Sequence, residues 1–341
     1  YGFETITLNS NELDTSLLGF PCEHDWILVA AYPDKTLFRN ALTFKIVSEM
    51  GHYAPRFKLV EVFLDKDYRG VYLFTEKIKR DKKRVDISKL KLTDTSGVEL
   101  TGGYIIKIDR LSHDWKPGHG WYGKFRSEDN DTAYVYYQYN YPNPDSMNSY
   151  QKSYIKNYFL DFEKAVKSSS FKDPINGYRK YIAITSFVDN MLINELSRNV
   201  DGYRLSTYFY KDKDKKLKAG PIWDADLAWY NCIGGEDHHG WQYANTENDK
   251  YFIPFWWSRL NEDPQFRQDV YCRYKDLRKT TLNTARLLFL VDSFSNLLAE
   301  AQVRNFERWP IMGDSVLFNP QPIPKNYKEG VDQIKNGFMT D

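Results

Sequence analysis

The chain has 341 residues, enough for one large domain or two tightly joined lobes. Its 47 Lys and Arg nearly cancel its 46 Asp and Glu, which removes the bulk electrostatic reason to expect a nucleic-acid binder. No apolar run approaches the ~20 residues that cross a bilayer, and three cysteines without Cys-x-x-Cys spacing argue against a zinc site or a disulfide framework.

The apolar spacing from Leu37 to Met50 predicts a helix, ended by Gly51. Lys58–Leu64 alternates as a strand, Asp65–Gly70 is a polar turn, and Val71–Ile78 is a second strand, so the pair reads as a β-hairpin. A basic stretch, Lys79–Lys83, follows. Gly102–Asp109 is a strand opened by two glycines, and Arg110–Asp131 reads as a long loop. Tyr150 to about Ser197 is helical. Leu205–Tyr210 and Leu217–Trp223 form a second hairpin around the charged turn Lys211–Lys216, which is expected to face solvent. Two or three helices follow from Phe255 to about Arg308, and the tail from Trp309 reads as loop plus one short helix. Strands first, then a helical half containing one hairpin, is an α+β layout with a small sheet lobe and a larger helical lobe. Aromatic residues make up 16% of the chain, which supplies a large core and stacking surfaces for adenine or sugars.

The second hairpin carries the chemistry. Asp201 precedes its first strand, and Asp224 and Asp226 follow its second. An antiparallel hairpin brings its open ends together, so these carboxylates are expected to converge. Like charges in one place repel unless a cation sits among them. Mg²⁺ takes hard oxygen ligands and often only one or two carboxylates, with water and phosphate completing its shell. Phosphoryl transfer uses such a set: one Asp to hold metal, one to orient the acceptor hydroxyl. Glu236-Asp237-His238-His239, bracketed by glycines, is a weaker metal candidate.

Several segments in order resemble the CotH family, spore-coat-protein-H-like atypical kinases. They are Leu37-Phe38-Arg39-Asn40-Ala41-Leu42, Glu61–Leu64 with Tyr68–Ile78, Gly102–Asp109, Asn199-Val200-Asp201-Gly202-Tyr203, and Trp223-Asp224-Ala225-Asp226-Leu227-Ala228-Trp229. The resemblance implies a protein-kinase-like two-lobed fold across residues 1–341, with a β-rich lobe over about 1–145 and a helical lobe over about 146–341. It implies ATP and Mg²⁺ as cofactors and a Ser or Thr hydroxyl on a protein as acceptor. Asp201 would be the catalytic acid, and Asp224 would hold Mg²⁺ with Asp226 and Ser206 in support. Lys107 would bind phosphate, held by Glu76, with Lys77 and Arg39 as further phosphate contacts and Trp223 as an adenine platform. Kinases carry Asn five positions after the catalytic Asp, where this chain has Ser206. That departure favours a second reading, an inactive kinase-like binding or assembly module. A third is a carbohydrate-active protein using Asp201 and Asp224 as a carboxylate pair. The chain opens at Tyr1 rather than Met and reads as trimmed, so a secreted or surface protein is expected.

Overall fold

A computed structural model of the chain describes residues 2–5, 11–111, 115–125, 135–235, 239–244 and 253–339. Two antiparallel sheets and the helices packed on them make an α+β architecture. The first sheet has the order β1-β2-β4-β3 and is built from β1 (Gly2–Glu4), β2 (Asp25–Ala30), β3 (Phe57–Leu64) and β4 (Asp67–Glu76). β3 and β4 are the expected hairpin. Its turn residues Asp65 and Lys66 both have positive φ, 49° and 68°, and Leu64 pairs with Asp67 across them. Two positive-φ residues in a two-residue turn match the right-handed twist of the strands they join.

Between β2 and β3 runs α1 (Arg39–Glu49), close to the expected helix and followed by Gly51 at φ 94°. It is buried nearly all round, from Arg39 through Phe44 and at Ile46 and Val47. Asp34 caps its start by accepting the backbone N–H of Thr36 and of Arg39, both at 2.8 Å.

After the short α2 (Gly97–Leu100), the second sheet begins with β5 (Tyr104–Ile108). It continues with β6 (Gly120–Tyr122), β7 (Tyr136–Tyr141), β8 (Thr207–Lys211) and β9 (Lys218–Ala219), in the order β6-β7-β5-β8-β9. β6 lies in a stretch expected to be loop, because three residues do not show a period-2 pattern. Alternation sorts β5 cleanly. Tyr104, Ile106 and Ile108 face the main core, and Ile105 faces a smaller cluster with Tyr208, Ile78, Val85 and Ile87.

The helical half departs from the expected single run. α3 (Ser149–Lys167) and α4 (Ile184–Leu196) are separate helices, and α3 starts on an Asn148–Gln151 capping box. α5 (Trp256–Asn261), α6 (Pro264–Arg278), α7 (Thr284–Leu297) and α8 (Ala301–Arg308) fill the region expected to hold two or three helices. α9 (Tyr327–Gly337) is the expected short helix of the tail. Lys211 corrects another expectation. Its charged turn was expected in solvent, but Lys211 is 2% exposed and donates to the Thr101 carbonyl. Its ammonium also lies 4.7 Å from the Tyr158 ring centre, and burial lowers its pKa to about 8. Charge count along the sequence does not reveal a lysine whose stem and head are covered by aromatic rings.

Candidate functional site

The register of the second sheet builds the site. β5 and β8 are antiparallel, and their last pair is Ile108 with Thr207. Asp109 and Ser206, the next residues outward, therefore leave the two strands at the same end. β9 returns beside β8, the Gly220 N–H bonds the Tyr208 carbonyl at 2.8 Å, and the chain runs on to Asp224 at that end. Ser206 Oγ donates to Asp224 Oδ2 at 3.1 Å. Asp201 lies close enough that its charge, with that of Asp109, acts on Asp224. The convergence of Asp201 with Asp224 follows from the hairpin, as the sequence leads one to expect. Asp109 joins them through a strand pairing that links two distant parts of the chain.

The backbone at these positions is held in an uncommon conformation. Ser206 and Asp224 have φ of 49° and 58°, in the left-handed region that β-carbon sterics disfavour. Helix α1 grips the turn that follows. Asn40 Oδ1 accepts the backbone N–H of Ala225 at 2.6 Å. Arg39 donates through Nε to the Trp229 carbonyl at 3.3 Å, and Thr43 Oγ1 accepts the Trp229 indole N–H at 2.8 Å. The Asp201 loop is held from the other side. Asn194, fully buried on α4, donates to the Gly202 carbonyl at 3.0 Å, and Asn199 Oδ1 accepts the Asp201 N–H at 3.3 Å. A side chain at position 202 would place its β-carbon 2.1 Å from Asn194 Oδ1, so glycine is required there.

Electrostatics mark the cluster as unsatisfied. The Asp224 pKa is raised, first by the protein crowding water from the carboxylate and then by repulsion from Asp201 and Asp109, against a lowering contribution from Ser206. Asp224 is nonetheless exposed as a residue, so ions reach it. Asp226 is pushed up to about 7, again by burial first and then by the charges of Asp224, Asp34 and Asp201. Carboxylates that repel one another and offer only hard oxygen donors suit a small divalent cation. The fit is to an open site. Among the described residues, the group of three possible ligands with atoms within 4.8 Å of one another is Asp14, Glu23 and His24, not the site acids. That triplet is already engaged: His24 bonds Asp14 at 2.7 Å and Lys79 bonds Glu23 at 3.0 Å.

The remaining expected residues separate. Lys107 Nζ lies 3.0 Å from Asp109 Oδ2, which places it at the site. Its expected partner Glu76 is elsewhere. Glu76 is 1% exposed at the end of β4 and accepts from Arg56 Nε at 3.0 Å, the Arg56 N–H at 3.0 Å and the Tyr53 hydroxyl at 3.2 Å. The Lys107–Glu76 pair is thus replaced by Lys107–Asp109 and Arg56–Glu76, because β4 and β5 belong to different sheets. Lys77 pairs with Asp25 at 3.1 Å on the first sheet. Arg39 is fully buried and bonded to Asp34 and Trp229, which leaves its guanidinium no access to a phosphate. Trp223 is half-buried and stacks on Phe44 at 5.8 Å between ring centres, with its remaining surface against the cluster of Tyr208. Glu236, Asp237 and His238 lie outside the described residues, and the His239 carbonyl accepts from Arg198 at 3.0 Å.

Sequence reasoning missed Asp109 and Asn40 as site residues. Both stand inside the quoted segments, Asp109 just past the end of β5 and Asn40 within the first helix. Neither has a local signal, because each acts through a partner far along the chain. No curated protein matches the chain at a significant level. The CotH kinase protein family matches it over residues 1–339, nearly its full length, and the chain belongs to that family.

Proposed function

We propose that this protein is an ATP- and Mg²⁺-dependent atypical protein kinase that phosphorylates Ser or Thr hydroxyls of a secreted or surface protein. Family membership supports a kinase-like function, and the α+β fold is compatible with a kinase-like fold. The proposal extends that fold to a two-lobed form, about 1–145 and about 146–341, acting as one domain. The observation that carries the reading is the meeting of Asp201, Asp224 and Asp109 at one end of β5 and β8, with the Asp224 pKa raised by crowding and by its acidic neighbours.

In this reading Asp224 would hold Mg²⁺, with Asp226 and Ser206 in support, and the ion would supply positive charge against the phosphates. Lys107 binds a phosphate oxygen in exchange for its contact with Asp109. Trp223, beside Tyr208, flanks the base. Asp201 orients the acceptor hydroxyl and takes its proton. The acceptor oxygen bonds to the γ-phosphorus as the bond to the bridging oxygen breaks, and ADP leaves with that electron pair. Arg204 Nε, 3.4 Å from Asp201 Oδ1, steadies the carboxylate.

A thermal-shift measurement tests the reading. ATP with Mg²⁺ together should raise the melting temperature more than either alone. No shift with any nucleotide would contradict it. The inactive-module alternative draws on Ser206, whose hydroxyl is given to Asp224 where kinases place an amide. It predicts nucleotide binding without transfer.

A further inference from the structure

Asp189 lies in the middle of α4 and is 2% exposed, yet it takes hydrogen bonds from two other parts of the chain. His52 Nε2 donates to its Oδ2 at 2.6 Å. Arg273 of α6 donates to both of its oxygens, from Nε at 2.8 Å and from Nη2 at 2.9 Å. Arg273 Nη2 also donates to the Met50 carbonyl at 2.9 Å. Met50 caps α1, and His52 stands two residues further on. One buried carboxylate therefore joins the end of α1 to α4 and α6. Burial works to raise the Asp189 pKa, but the bonds from His52 and Arg273 outweigh it and hold it lowered.

Each of the two helices that meet there holds one half of the acidic site with its own side chains. On α1, Asn40 bonds the Ala225 N–H at 2.6 Å and Thr43 bonds the Trp229 indole at 2.8 Å, which fixes the turn after Asp224. On α4, Asn194 bonds the Gly202 carbonyl at 3.0 Å, which fixes the loop of Asp201. Helical rise of ~1.5 Å per residue puts Asn40 about 15 Å along the rod from Met50, and Asn194 about 7.5 Å from Asp189. Packing between the two rods is incomplete at the joint. A cavity of about 20 Å³ separates Val47 and Met50 from Ser186, Asn190 and Ile193, and His52 and Asp189 line it together. The polar joint bridges the gap that the apolar side chains leave.

We propose that Asp189 is a positioning residue for phosphoryl transfer: with His52 and Arg273 it sets α1 against α4, and so the Asp224 turn against the Asp201 loop. The inference rests on the kinase reading above and adds the device that aligns its two acids. Transfer depends steeply on placement, since an error of about 1 Å costs on the order of a hundredfold in rate. Mg²⁺ and nucleotide draw on the Asp224 side alone, so their binding depends on the joint far less.

The test compares the unmodified protein with Asp189→Asn, His52→Ala and His52→Gln, the last of which keeps an N–H donor where Nε2 stood. Arg179→Ala is the control, because it breaks a different ion pair of α6, the 2.7 Å contact with Asp269, which joins neither α1 nor α4. kcat and the KM for ATP are measured with a Ser peptide. Hydrogen exchange is followed by mass spectrometry in segments 199–205 and 222–229, with 104–108 as the internal reference. Asp189→Asn and His52→Ala should lower kcat by about tenfold with the KM for ATP unchanged, and should speed exchange in 199–205 and 222–229 but not in 104–108. His52→Gln should restore most of kcat, and Arg179→Ala should leave kcat unchanged. Should Asp189→Asn fail to fold, His52→Ala carries the test, because the His52 side chain is 28% exposed. A kcat in folded His52→Ala that is unchanged, or lowered no more than in Arg179→Ala, would overturn the inference. If the unmodified protein transfers no phosphate, the kinase reading fails and exchange decides the joint separately: faster exchange of both segments in His52→Ala upholds the coupling of the two acidic turns, and unchanged exchange in either refutes it.

Discussion

The side-chain carbonyl of Asn40 accepts the backbone N–H of Ala225 at 2.6 Å, joining the first helix to the turn between Asp224 and Asp226. Both partners are buried, with Ala225 fully covered. Residue 224 is thereby held at a positive φ that an aspartate does not favour by itself. The backbone strain at the acidic turn is offset by contacts from α1.

Asn40→Ala should therefore leave a buried N–H without an acceptor and destabilise the fold by about 1–3 kcal/mol. Mg²⁺-dependent nucleotide binding should weaken by more than the loss of folded protein explains. Asn40→Asp, which keeps an acceptor oxygen, should recover part of the binding. Chemical denaturation and isothermal titration on the same variants check both statements. Unchanged nucleotide affinity in folded Asn40→Ala would show that the contact serves stability alone.

Arg39 should behave as a structural residue. Its guanidinium is buried with Asp34 and the Trp229 carbonyl. Arg39→Ala would strand the Asp34 carboxylate and cost about 3–5 kcal/mol. The folded fraction should keep its affinity for ATP. A normal melting temperature with lost ATP affinity would instead make Arg39 a phosphate contact.

The raised carboxyls give a pH dependence of definite sign. Asp226 rises from 3.8 to about 7 on folding. The protonated form is favoured in the folded state, so its contribution to stability is full below pH ~4 and is lost as pH climbs through about 7. Asp226→Asn should remove that loss and stabilise the metal-free protein at pH 8 by up to about 4 kcal/mol, the rise of about three pKa units taken at ~1.4 kcal/mol each. Mg²⁺ should stabilise the unmodified protein more at pH 8 than at pH 5, because protons and the ion compete for the same oxygens. Melting curves across pH, with and without Mg²⁺, check this. A stability that does not fall between pH 5 and pH 8 would contradict it.

Much of this site was legible in the sequence, and the missing parts share one cause. The hairpin β8–β9 and the helix α1 show in local periodicity, so the meeting of Asp201 with Asp224 could be reasoned from their flanking strands. The pairing of β5 with β8 could not, since nothing local in Tyr104–Ile108 names its partner about a hundred positions away. That pairing brings Asp109 to the cluster and gives Lys107 its carboxylate. The same blindness assigned Glu76 to Lys107, although a buried acid on the first sheet is satisfied there by Arg56 and Tyr53. Lys211 failed in another way, because composition cannot tell a solvated charge from one roofed by Tyr154 and Tyr158.

On the proposed function, Ser206 is the residue at which this chain departs from the Asn that kinases carry. Its hydroxyl bonds Asp224 at a positive φ that Asn also tolerates. Ser206→Ala should weaken Mg²⁺-dependent nucleotide binding several-fold by removing a donor that favours the ionised Asp224. Ser206→Asn should fold normally and retain that binding. Titrating Mg²⁺ at fixed ATP into each variant measures the difference. Identical curves for the unmodified protein and Ser206→Ala would remove Ser206 from the site.

In the proposed function Asp201 and Asp224 act together in phosphoryl transfer. The most direct measurement is transfer of label from γ-labelled ATP to a Ser-containing acceptor, with Asp201→Asn and Asp224→Ala alongside. The unmodified protein should transfer label only with Mg²⁺. Asp201→Asn should lose at least about a hundredfold in rate while still binding ATP with Mg²⁺, as expected for a group that handles the acceptor proton. Asp224→Ala should lose both transfer and Mg²⁺-dependent binding. Transfer that persists undiminished in Asp201→Asn, or that needs no Mg²⁺, would contradict the account.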